Sequence, residues 1–360
     1  MSSFDGLGEA WQEEVARSIV TADQLARIVR LTPGEERGIE RAGAVYRWRI
    51  TPSYASLMDP TDPGCPIRRQ AIPSEEELSD ALGTEDPIGE AENTPAPNLI
   101  RLYPDRVAWC VTSSCPVYCR FCFRRRLVGK EDGDFSPAAR DTALAYIART
   151  PEIRDVLVTG GDPLMLPDRQ IEDLLRRLRA IRHVEIVRIG TRAPVTLPLR
   201  ITAELCAMLR SFHPLWINTH FNHPRELTPA AASACARLAD AGIPLGNQSV
   251  LLRGVNDDPG TMRRLVHGLV RTRVRPYYLF QCHLVRGSAH FRTPIETGRD
   301  IVASLRGATT GFAVPTFVVD TPFGKVPVGP ETVIDRDSDS VTLKSYDGRV
   351  WREPNPMQGT

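Results

Sequence analysis

Three cysteines stand close together in the segment 114–126, which reads Ser-Cys-Pro-Val-Tyr-Cys-Arg-Phe-Cys-Phe-Arg-Arg-Arg; they are Cys115, Cys119 and Cys122. Thiolates are the ligands that iron–sulfur clusters select. Three of them on one loop can bind three irons of a [4Fe–4S] cube and leave the fourth iron open, unlike a four-cysteine ferredoxin site. An open iron can chelate the amino and carboxylate groups of S-adenosylmethionine. On spacing alone, unrelated buried thiols or a zinc site that lacks a ligand stay open as alternatives.

Polar residues after later strands form further candidate sites. Gly160, Gly161 and Asp162 follow a predicted strand. Paired glycines let a ligand approach the backbone, and an aspartate can accept from an ammonium group; a plain strand-to-helix turn is the alternative. His220 and His223 lie near another strand end. Two histidines without more donors do not make a zinc site, so satisfied polar residues are the simpler explanation.

A lysine near the end of the chain is a candidate nucleophile. Lys325 lies on a tight loop after the last predicted strand, in the sequence Asp-Thr-Pro-Phe-Gly-Lys-Val-Pro. If its loop holds it near a site, such a lysine can form a Schiff base with pyridoxal phosphate. A solvated surface lysine is the ordinary alternative, and composition alone does not choose between the two.

The composition limits the class of protein. Of the 360 residues 42% are hydrophobic and 25% are charged, which is ordinary for a soluble globular protein, and the net charge of +1 favours neither nucleic acid nor a membrane surface as a partner. The cysteines outside the triplet lack the density of a secreted disulfide framework. No signal peptide is recognisable, and no apolar run reaches the ~18 residues of a membrane helix. We therefore expect a cytoplasmic protein, as a labile cluster would require.

Beyond residue 107 the pattern alternates between strands and helices. Strands are predicted at 107–112, 155–159, 184–189, 215–220, 243–250, 276–281 and 314–320. Helices are predicted between them at 137–149, 168–181, 203–212, from 229 onward, at 261–270 and at 295–305. Six strand–helix units in succession imply parallel strands with right-handed crossovers. Six units suit an α/β fold of the open, partial (β/α)6 barrel type better than a closed eight-unit barrel.

The candidate residues fall where these predicted strands end. The strand ends carry the cysteine loop, Thr159–Asp162, Thr191–Arg192, Asn218–His220, Asn247–Ser249, Gln281–His283 and Asp320. In such folds the chemistry lies at the carboxyl ends of the strands. The sequence therefore predicts a single site at this edge of the sheet.

The chain divides into three predicted regions. Residues 1–100 are expected to form helices and irregular connections, with an acidic, Pro-containing linker or surface wrap at 84–98. Residues 101–320 form the partial barrel. Residues 321–360 carry the lysine loop and a small C-terminal cap with a hairpin at 341–351.

Long, ordered stretches of the chain match the motifs of a known family. They are 51–60, 103–107, the cysteine loop, 159–162, 184–190, 218–224, 245–257, 274–278, 290–294 and 314–320. In these stretches the chain resembles the lysine 2,3-aminomutase family. The resemblance implies a radical S-adenosylmethionine enzyme with a [4Fe–4S] cluster and pyridoxal phosphate, which moves an amino group from C2 to C3 of an amino acid. It also implies a helical N-terminal arm used in subunit contacts, a homodimer or homotetramer, and an electron donor of the flavodoxin or ferredoxin type.

The resemblance implies roles for individual residues. Cys115, Cys119 and Cys122 would bind the cluster, Lys325 would be the catalytic lysine that binds pyridoxal phosphate, and Tyr103 and Arg106 would help to seat that cofactor. Gly160, Asp162, His220 and Gln248 would contact S-adenosylmethionine. Arg124, His283 and Asp320 would contact the substrate, with the guanidinium of Arg124 on its carboxylate.

The chain departs from the family pattern at several positions. Leu102 stands where the family usually has an arginine near the phosphate, for which Arg101 is a candidate replacement. The glycine run before Lys325 is shorter than in the family. Many lysine enzymes carry a zinc site built from a cysteine at the position of Asp258 and from a cysteine-rich tail. Because both are absent from this sequence, we predict no zinc.

The substrate prediction depends on Asp320 and His283. The lysine enzymes hold the side-chain ammonium with two aspartates; Asp320 matches one, and His283 stands at the other position. A guanidinium can satisfy a single carboxylate through two parallel hydrogen bonds. We therefore expect a basic L-amino acid, arginine ahead of lysine. A radical deaminase or dehydrogenase on the same scaffold, or an aminomutase for a non-basic amino acid, stays open as an alternative.

Overall fold

The computed structural model of the protein describes residues 6–129 and 135–355. Its central element is a nine-stranded sheet in which the strands follow one another in chain order. They are β1 (Leu99–Ile100), β2 (Arg106–Cys110), β3 (Asp155–Thr159), β4 (Ile186–Gly190), β5 (Leu215–Thr219), β6 (Leu245–Val250), β7 (Val274–Phe280), β8 (Thr316–Thr321) and β9 (Gly324–Pro327). Strands β2 to β8 are parallel, whereas β1 and β9 pair antiparallel at the two edges. Residues from β2 to β9 line one cavity, so the sheet curls into an open half-barrel.

An N-terminal helical arm precedes the sheet. Its helices are α1 (Gly6–Ala16), α2 (Ala22–Ala26), α3 (Pro33–Val45), α4 (Pro52–Ala55) and α5 (Pro66–Ala71). Helix α3 begins with a capping box formed by Thr32 and Glu35 and has a proline at its first turn, where no intrahelical partner is needed for its missing N–H. The arm is fastened to the barrel by a buried hydrogen bond of 2.8 Å from the Tyr54 hydroxyl to Glu226 Oε1.

Helices on the convex face connect the parallel strands. They are α6 (Pro137–Ala148), α7 (Asp168–Arg179), α8 (Ala193–Thr196), α9 (Ala203–Arg210), α10 (Pro229–Asp240), α11 (Pro259–Arg271) and α12 (Ile295–Leu305). Helix α7 shows the pattern that fixes their orientation, because Leu174 and Leu178 are buried on one side and arginines cover the other. Val156 and Val158 of β3 pack in the same core, whereas Thr159 lines the cavity, as the alternation of a strand requires.

A small antiparallel sheet closes the chain. It consists of β10 (Val333–Arg336), β11 (Ser340–Lys344) and β12 (Val350–Pro354). The hairpin predicted at 341–351 corresponds to β11 and β12, which pair through Lys344 and Val350 across a turn. Asn355 joins this sheet to the barrel, since its Oδ1 accepts from the backbone N–H of Ile295 at 2.7 Å. No described helix has the combined length and apolar character needed to cross a bilayer.

The open (β/α)6 half-barrel expected from the sequence is confirmed, with β8 as a further parallel strand. One local expectation needs correction. Lys325 lies within strand β9 and not on a loop, because the chain reverses after β8 and Asp320 pairs in register with Lys325. The segment 84–98, expected as a linker or surface wrap, lies against the barrel, and the side chain of Glu90 within it is only 3% exposed.

Candidate active site

The carboxyl ends of the strands open into a single large cavity of about 1280 Å³. The residues to which the family resemblance assigns a role line it: Tyr103, Arg106, Cys115, Cys119, Cys122, Arg124, Gly160, Asp162, His220, Gln248, His283, Asp320 and Lys325. The other candidate histidine, His223, does not; its Nδ1 accepts from the backbone N–H of Arg225 at 3.1 Å. Pockets for one small molecule usually fall between roughly 300 and 1,000 Å³. The cavity therefore has room for more than one ligand at a time.

The cysteine loop follows β2 and is fixed by the N-terminal arm. Its backbone N–H groups at Tyr118 and Arg120 donate to the carbonyl oxygens of Arg49 (3.0 Å) and Gln70 (2.9 Å). The buried Arg120 guanidinium donates to both oxygens of Glu77, at 2.8 and 2.6 Å. A buried, doubly hydrogen-bonded ion pair gives the loop a defined position before any ligand binds.

The three cysteines of this loop fit an iron–sulfur cluster. Burial, together with a smaller effect of the neighbouring thiols of the triplet, raises the pKa of Cys115 well above its ordinary value and that of Cys122 to about 11. Cysteines bind metals as thiolates, and neighbouring thiolates in a buried site need a cation beside them. The iron ions of a cluster provide that positive charge. Among the described residues no three His, Cys, Asp or Glu side chains converge as one metal ion requires, whereas each thiolate of a cluster binds a different iron.

The glycines after β3 are needed for packing against the cysteine loop. A Cβ on Gly160, which has φ of +131°, would lie 2.4 Å from the carbonyl oxygen of Thr112, and one on Gly161 would lie 2.3 Å from that of Ser114. A side chain at either position would therefore collide with the backbone of the chain itself. Both glycines also line the cavity, and a contact of Gly160 with a ligand stays a prediction.

Asp162 has protein partners for both of its carboxylate oxygens. Oδ1 accepts from the Thr191 hydroxyl at 2.7 Å and from the backbone N–H of Leu164 at 3.0 Å, and Oδ2 accepts from the N–H of Arg192 at 2.8 Å. Burial raises the pKa of Asp162, although these hydrogen bonds oppose the shift. Its carboxylate connects the segments that follow β3 and β4. The sequence did not indicate this structural role.

The wall formed by the end of β5 presents polar atoms to the cavity. The buried side-chain atoms Asn218 Nδ2, Thr219 Oγ1 and His220 Nε2 have no hydrogen-bond partner among the described residues. Burial, with a smaller effect of Arg192, lowers the pKa of His220 to about 3, so its imidazole is neutral. Buried polar atoms without partners are costly. They fit a polar ligand such as S-adenosylmethionine, and Gln248 lines the same cavity.

Lys325 and its neighbours fit pyridoxal phosphate. The Lys325 Nζ lies 3.4 Å from Asp320 Oδ2, and the Lys325 backbone N–H donates to the Tyr103 hydroxyl at 2.6 Å. The Arg106 guanidinium lies 3.7 Å from the centre of the Tyr103 ring. A lysine in a cavity, next to an aromatic ring and a cation that can meet a phosphate, is the donor set that this cofactor needs.

Asp320 is an ionised carboxylate at the same end of the cavity. Burial would raise its pKa, but Lys325 and His283 outweigh burial and lower the pKa to about 2. His283 Nε2 lies 3.4 Å from Asp320 Oδ2, and the His283 ring stacks on Phe123 with 4.5 Å between ring centres. The two residues expected to meet the substrate side chain are thus in contact with each other.

Arg124 reaches the cavity from the cysteine loop. Its Nε and Nη2 donate to Glu90 at 2.8 and 2.6 Å, and its Nη1 lies 3.4 Å from the Thr159 hydroxyl. Burial would lower the Arg124 pKa, but the Glu90 carboxylate outweighs burial and raises it. The guanidinium is therefore charged and held from one side, which leaves Nη1 directed to the cavity wall.

Two functional residues were missed by sequence reasoning. Glu77 and Glu90 hold the arginines of the cysteine loop, and no motif in the sequence indicated these pairs. Arg192 was among the polar residues expected at the strand ends, but without a role of its own. In the structure it contacts Cys119, Glu226 and the backbone of His220.

Two departures from the family pattern have structural explanations. Asp258 is the N-cap of α11 and accepts from the N–H of Thr261 at 2.7 Å. Arg101 donates to the Tyr146 hydroxyl and to the carbonyl of Pro104 and does not line the cavity, so it does not replace the arginine lost at Leu102. The absence of zinc stays a prediction.

Comparison with known proteins agrees with this site. A family described as "Lysine-2,3-aminomutase" matches residues 302–360, and the "Radical SAM superfamily" matches residues 109–266. The L-lysine 2,3-aminomutase of Fusobacterium nucleatum is 50% identical over 355 residues, 97% of this chain and 83% of that protein. That of Clostridium subterminale is 49% identical over 97% of this chain and 85% of that protein. The glutamate 2,3-aminomutase of Clostridioides difficile is 44% identical over 97% and 84%.

These matches extend over nearly the whole chain and include both ends of the cavity described above. The relatives are named amino acid 2,3-aminomutases, which are isomerases. The chain therefore belongs to the lysine 2,3-aminomutase family of radical S-adenosylmethionine isomerases, whose cofactors are a [4Fe–4S] cluster, S-adenosylmethionine and pyridoxal phosphate.

Proposed function

We propose that the chain uses pyridoxal phosphate bound to Lys325 and moves the α-amino group of a basic L-amino acid, with arginine ahead of lysine, from C2 to C3. The supporting observation is a row of contacts on the cavity wall, in which Arg124, Phe123, His283, Asp320 and Lys325 each touch the next. The row has a guanidinium at one end and a carboxylate toward the other. An amino acid with an α-carboxylate and a cationic side chain is complementary to it.

Asp320 favours a substrate with a cationic side chain, because it is a buried anion whose ion-pair partner, Lys325, can be replaced by another cation. Its partner is Lys325 at 3.4 Å, and the bonding of that lysine to the cofactor would consume the free ammonium. A buried carboxylate without a cation is strongly unfavourable. The cationic side chain of the substrate would restore the pair, whereas the second carboxylate of glutamate would be repelled.

His283 supports arginine ahead of lysine. One carboxylate can receive two parallel N–H groups of a guanidinium, and a neutral imidazole can accept from a further N–H. The ring of His283 is held between Phe123 and Asp320, so it can reorient little. The compact ammonium of lysine would gain less from this geometry than from a pair of aspartates.

Each cofactor has its own set of residues in this proposal. Cys115, Cys119 and Cys122 would hold the cluster; Lys325, Tyr103 and Arg106 would hold pyridoxal phosphate; Gly160, Asp162, His220 and Gln248 would border S-adenosylmethionine. The bound cofactors supply a carbon-centred radical and a π system through which nitrogen can migrate. Arg124 binds the α-carboxylate, and the cavity wall orients C2 and C3.

The proposal includes partners and location. An electron donor of the flavodoxin or ferredoxin type would reduce the cluster, and the region 1–100 would form subunit contacts in a homodimer or homotetramer. The barrel region 101–320 and the C-terminal region 321–360 would belong to the same active site, because Lys325 contacts Tyr103. We place the enzyme in the cytoplasm.

Substrate competition tests the proposal. Reconstituted, reduced enzyme is given equimolar L-arginine, L-lysine and L-glutamate, and the β-isomers are quantified by mass spectrometry. Arginine should lead, with lysine second. Turnover of glutamate and of neither basic amino acid would contradict the charge argument, and release of ammonia in place of a β-amino acid would identify a deaminase.

A variant of His283 tests the preference between the two basic amino acids. The substitution His283→Asp supplies a second carboxylate beside Asp320 and should move the arginine-to-lysine ratio toward lysine by at least about tenfold, or ~1.4 kcal/mol. His267→Asp is the control, because His267 is exposed and contacts Thr309 on the outside of the barrel. An unchanged ratio of arginine to lysine turnover in His283→Asp would show that this position does not determine the preference for the substrate side chain.

A further inference from the structure

Arg192 is a buried arginine whose guanidinium touches the cysteine loop. Its Nη1 lies 2.7 Å from the sulfur of Cys119. Its Nη2 donates to Glu226 Oε1 and to Gln70 Oε1, both at 2.7 Å, and its Nε donates to the carbonyl oxygen of His220 at 3.2 Å. Because every nitrogen of the guanidinium has an acceptor, its orientation toward the sulfur is fixed.

This contact distinguishes Cys119 from the other two cysteines of the triplet. Within the ranges 6–129 and 135–355, it is the sulfur of the three that accepts from a hydrogen-bonded cation. The ring of Phe121 lies 5.4 Å from the guanidinium carbon and is itself buried. The charge of Arg192 therefore acts on the sulfur across a short, largely dry distance, where electrostatic effects are stronger than in water.

We propose that Arg192 is a positioning residue that raises the reduction potential of the iron–sulfur cluster through Cys119. The inference rests on the proposed binding of that cluster by Cys115, Cys119 and Cys122. When the cluster accepts one electron from the reductant, negative charge on its sulfurs increases. A guanidinium that donates to one of them stabilises the reduced form more than the oxidised form.

Glu226 opposes part of this effect. Its carboxylate is buried and lies on the other side of the guanidinium from Cys119, at 2.7 Å from Nη2. In this ion pair the Arg192 guanidinium therefore faces the cysteine loop. The Glu226 carboxylate lies farther away, between the N-terminal arm and the segment after β5. Removing the charge of Glu226 should raise the potential, and withdrawing Arg192 from the sulfur should lower it.

The two substitutions Arg192→Lys and Glu226→Gln form the test. Each variant is reconstituted with iron and sulfide, without S-adenosylmethionine, and titrated with redox mediators while the reduced cluster is followed by electron paramagnetic resonance. A lysine has one ammonium in place of a planar group and cannot serve both Glu226 and Cys119. Arg192→Lys should lower the midpoint potential by about 59 mV for each tenfold loss in stabilisation of the one-electron reduced cluster. Glu226→Gln should raise it.

Arg68→Lys is the matched control. Arg68 is also buried and paired with a carboxylate, Glu35 Oε1 at 2.9 Å, but its described contacts lie within the N-terminal arm. This variant should keep the wild-type potential. Thermal unfolding and iron content of all variants show whether each still folds and holds its cluster.

Shifts of opposite sign are the expected result, because a general loosening of the site would not move the potential in both directions. Unchanged potentials, or shifts of the same sign, would overturn the role of Arg192. If Arg192→Lys does not fold, Glu226→Gln alone tests the inference. A higher midpoint potential in Glu226→Gln than in wild type supports it, and an unchanged or lower midpoint potential overturns it. A full cluster in Cys119→Ala would instead overturn the cluster assignment, and this inference with it.

Discussion

Lys325 gives the most direct test at the scale of single residues. Lys325→Ala should abolish the yellow absorbance of covalently bound pyridoxal phosphate and all turnover, because the proposed function makes the Lys325 Nζ, which lies beside Asp320, the nucleophile. Absorbance spectra and borohydride trapping followed by peptide mapping measure this. Lys344→Ala, on the exposed side of β11, is the control and should stay yellow. Trapping of the cofactor on another lysine in the variant would contradict the assignment.

Asp320 should govern affinity for the substrate side chain. Asp320→Asn keeps the shape of the residue and removes its charge, and should reduce kcat/KM for the basic substrate by at least roughly a hundredfold, since breaking a buried ion pair costs about 3–5 kcal/mol. Asp168→Asn serves as the control, because Asp168 pairs with Arg200 outside the cavity. Equal kcat/KM in wild type and Asp320→Asn would remove Asp320 from the substrate site.

Sequence alone found the residues whose chemistry is visible in their type and spacing. Cys115, Cys119 and Cys122 belong to this class, whereas the role of Lys325 came only from the family resemblance. The structure brings all four to one cavity. Glu90 could not be found in this way, because its role depends on a contact with Arg124, 34 positions later in the chain. A carboxylate on an acidic, Pro-containing stretch looks solvated until its partner is known.

At the scale of elements, Glu77 connects the N-terminal arm to the cysteine loop. Glu77→Gln would leave Arg120 buried without its anion and also release Arg125, so the free energy of unfolding should fall by roughly 3–5 kcal/mol. Denaturant unfolding and iron content after reconstitution measure the change. The control is Glu185→Gln, whose partner Arg154 is exposed with it, so that little should change. A stable Glu77→Gln protein with full iron would show that the arm does not support the loop.

Glu353 should make the stability of the folded chain depend on pH. Burial raises its pKa to about 7, although the Trp351 Nε1 donates to its Oε2 at 2.7 Å. Between about pH 4.5 and 7 the folded chain keeps a proton that the unfolded chain has lost, so this residue's contribution to stability falls as the pH rises, by on the order of 3 kcal/mol.

The substitution Glu353→Gln should remove that loss, because glutamine keeps an acceptor for Trp351 and carries no charge. Urea unfolding below and above this pH window should show wild type losing more stability than the variant on the alkaline side. Glu185→Gln, which changes an exposed carboxylate, should show the same change of unfolding free energy with pH as wild type. Parallel curves for wild type and Glu353→Gln would mean that Glu353 is ionised in the folded protein.

The periodic part of the fold was predictable, and the edges were not. The parallel strands β2 to β8 are short, mainly apolar segments that alternate with helices, so the number and the order of the strand–helix units follow from the sequence. β1 is two residues long and β9 follows β8 after a short turn, so neither has enough residues to show a pattern. Their existence depends on unpaired strand edges that only the assembled sheet presents.

Metal content is a prediction about the whole molecule. Purified, untagged protein should contain iron and sulfide but no stoichiometric zinc, because Asp258, at the position of the family's zinc-binding cysteine, caps a helix. Elemental analysis by mass spectrometry measures both metals in one sample. One tightly held zinc per chain would contradict the prediction and would point to ligands outside the family's usual positions.

The hydrogen bonds around the cavity differ greatly in how far apart in the chain their partners lie, and this sets an order of assembly during translation. Arg120 meets Glu77 after 43 residues, and Arg192 meets Cys119 after 73, whereas Lys325 meets Tyr103 only after 222. A ribosome therefore synthesises the cysteine loop, Glu77 and Arg192 well before Lys325. In the proposed function, the residues that hold the cluster are thus complete early, whereas pyridoxal phosphate would be bound only after the last strands of the sheet have been made.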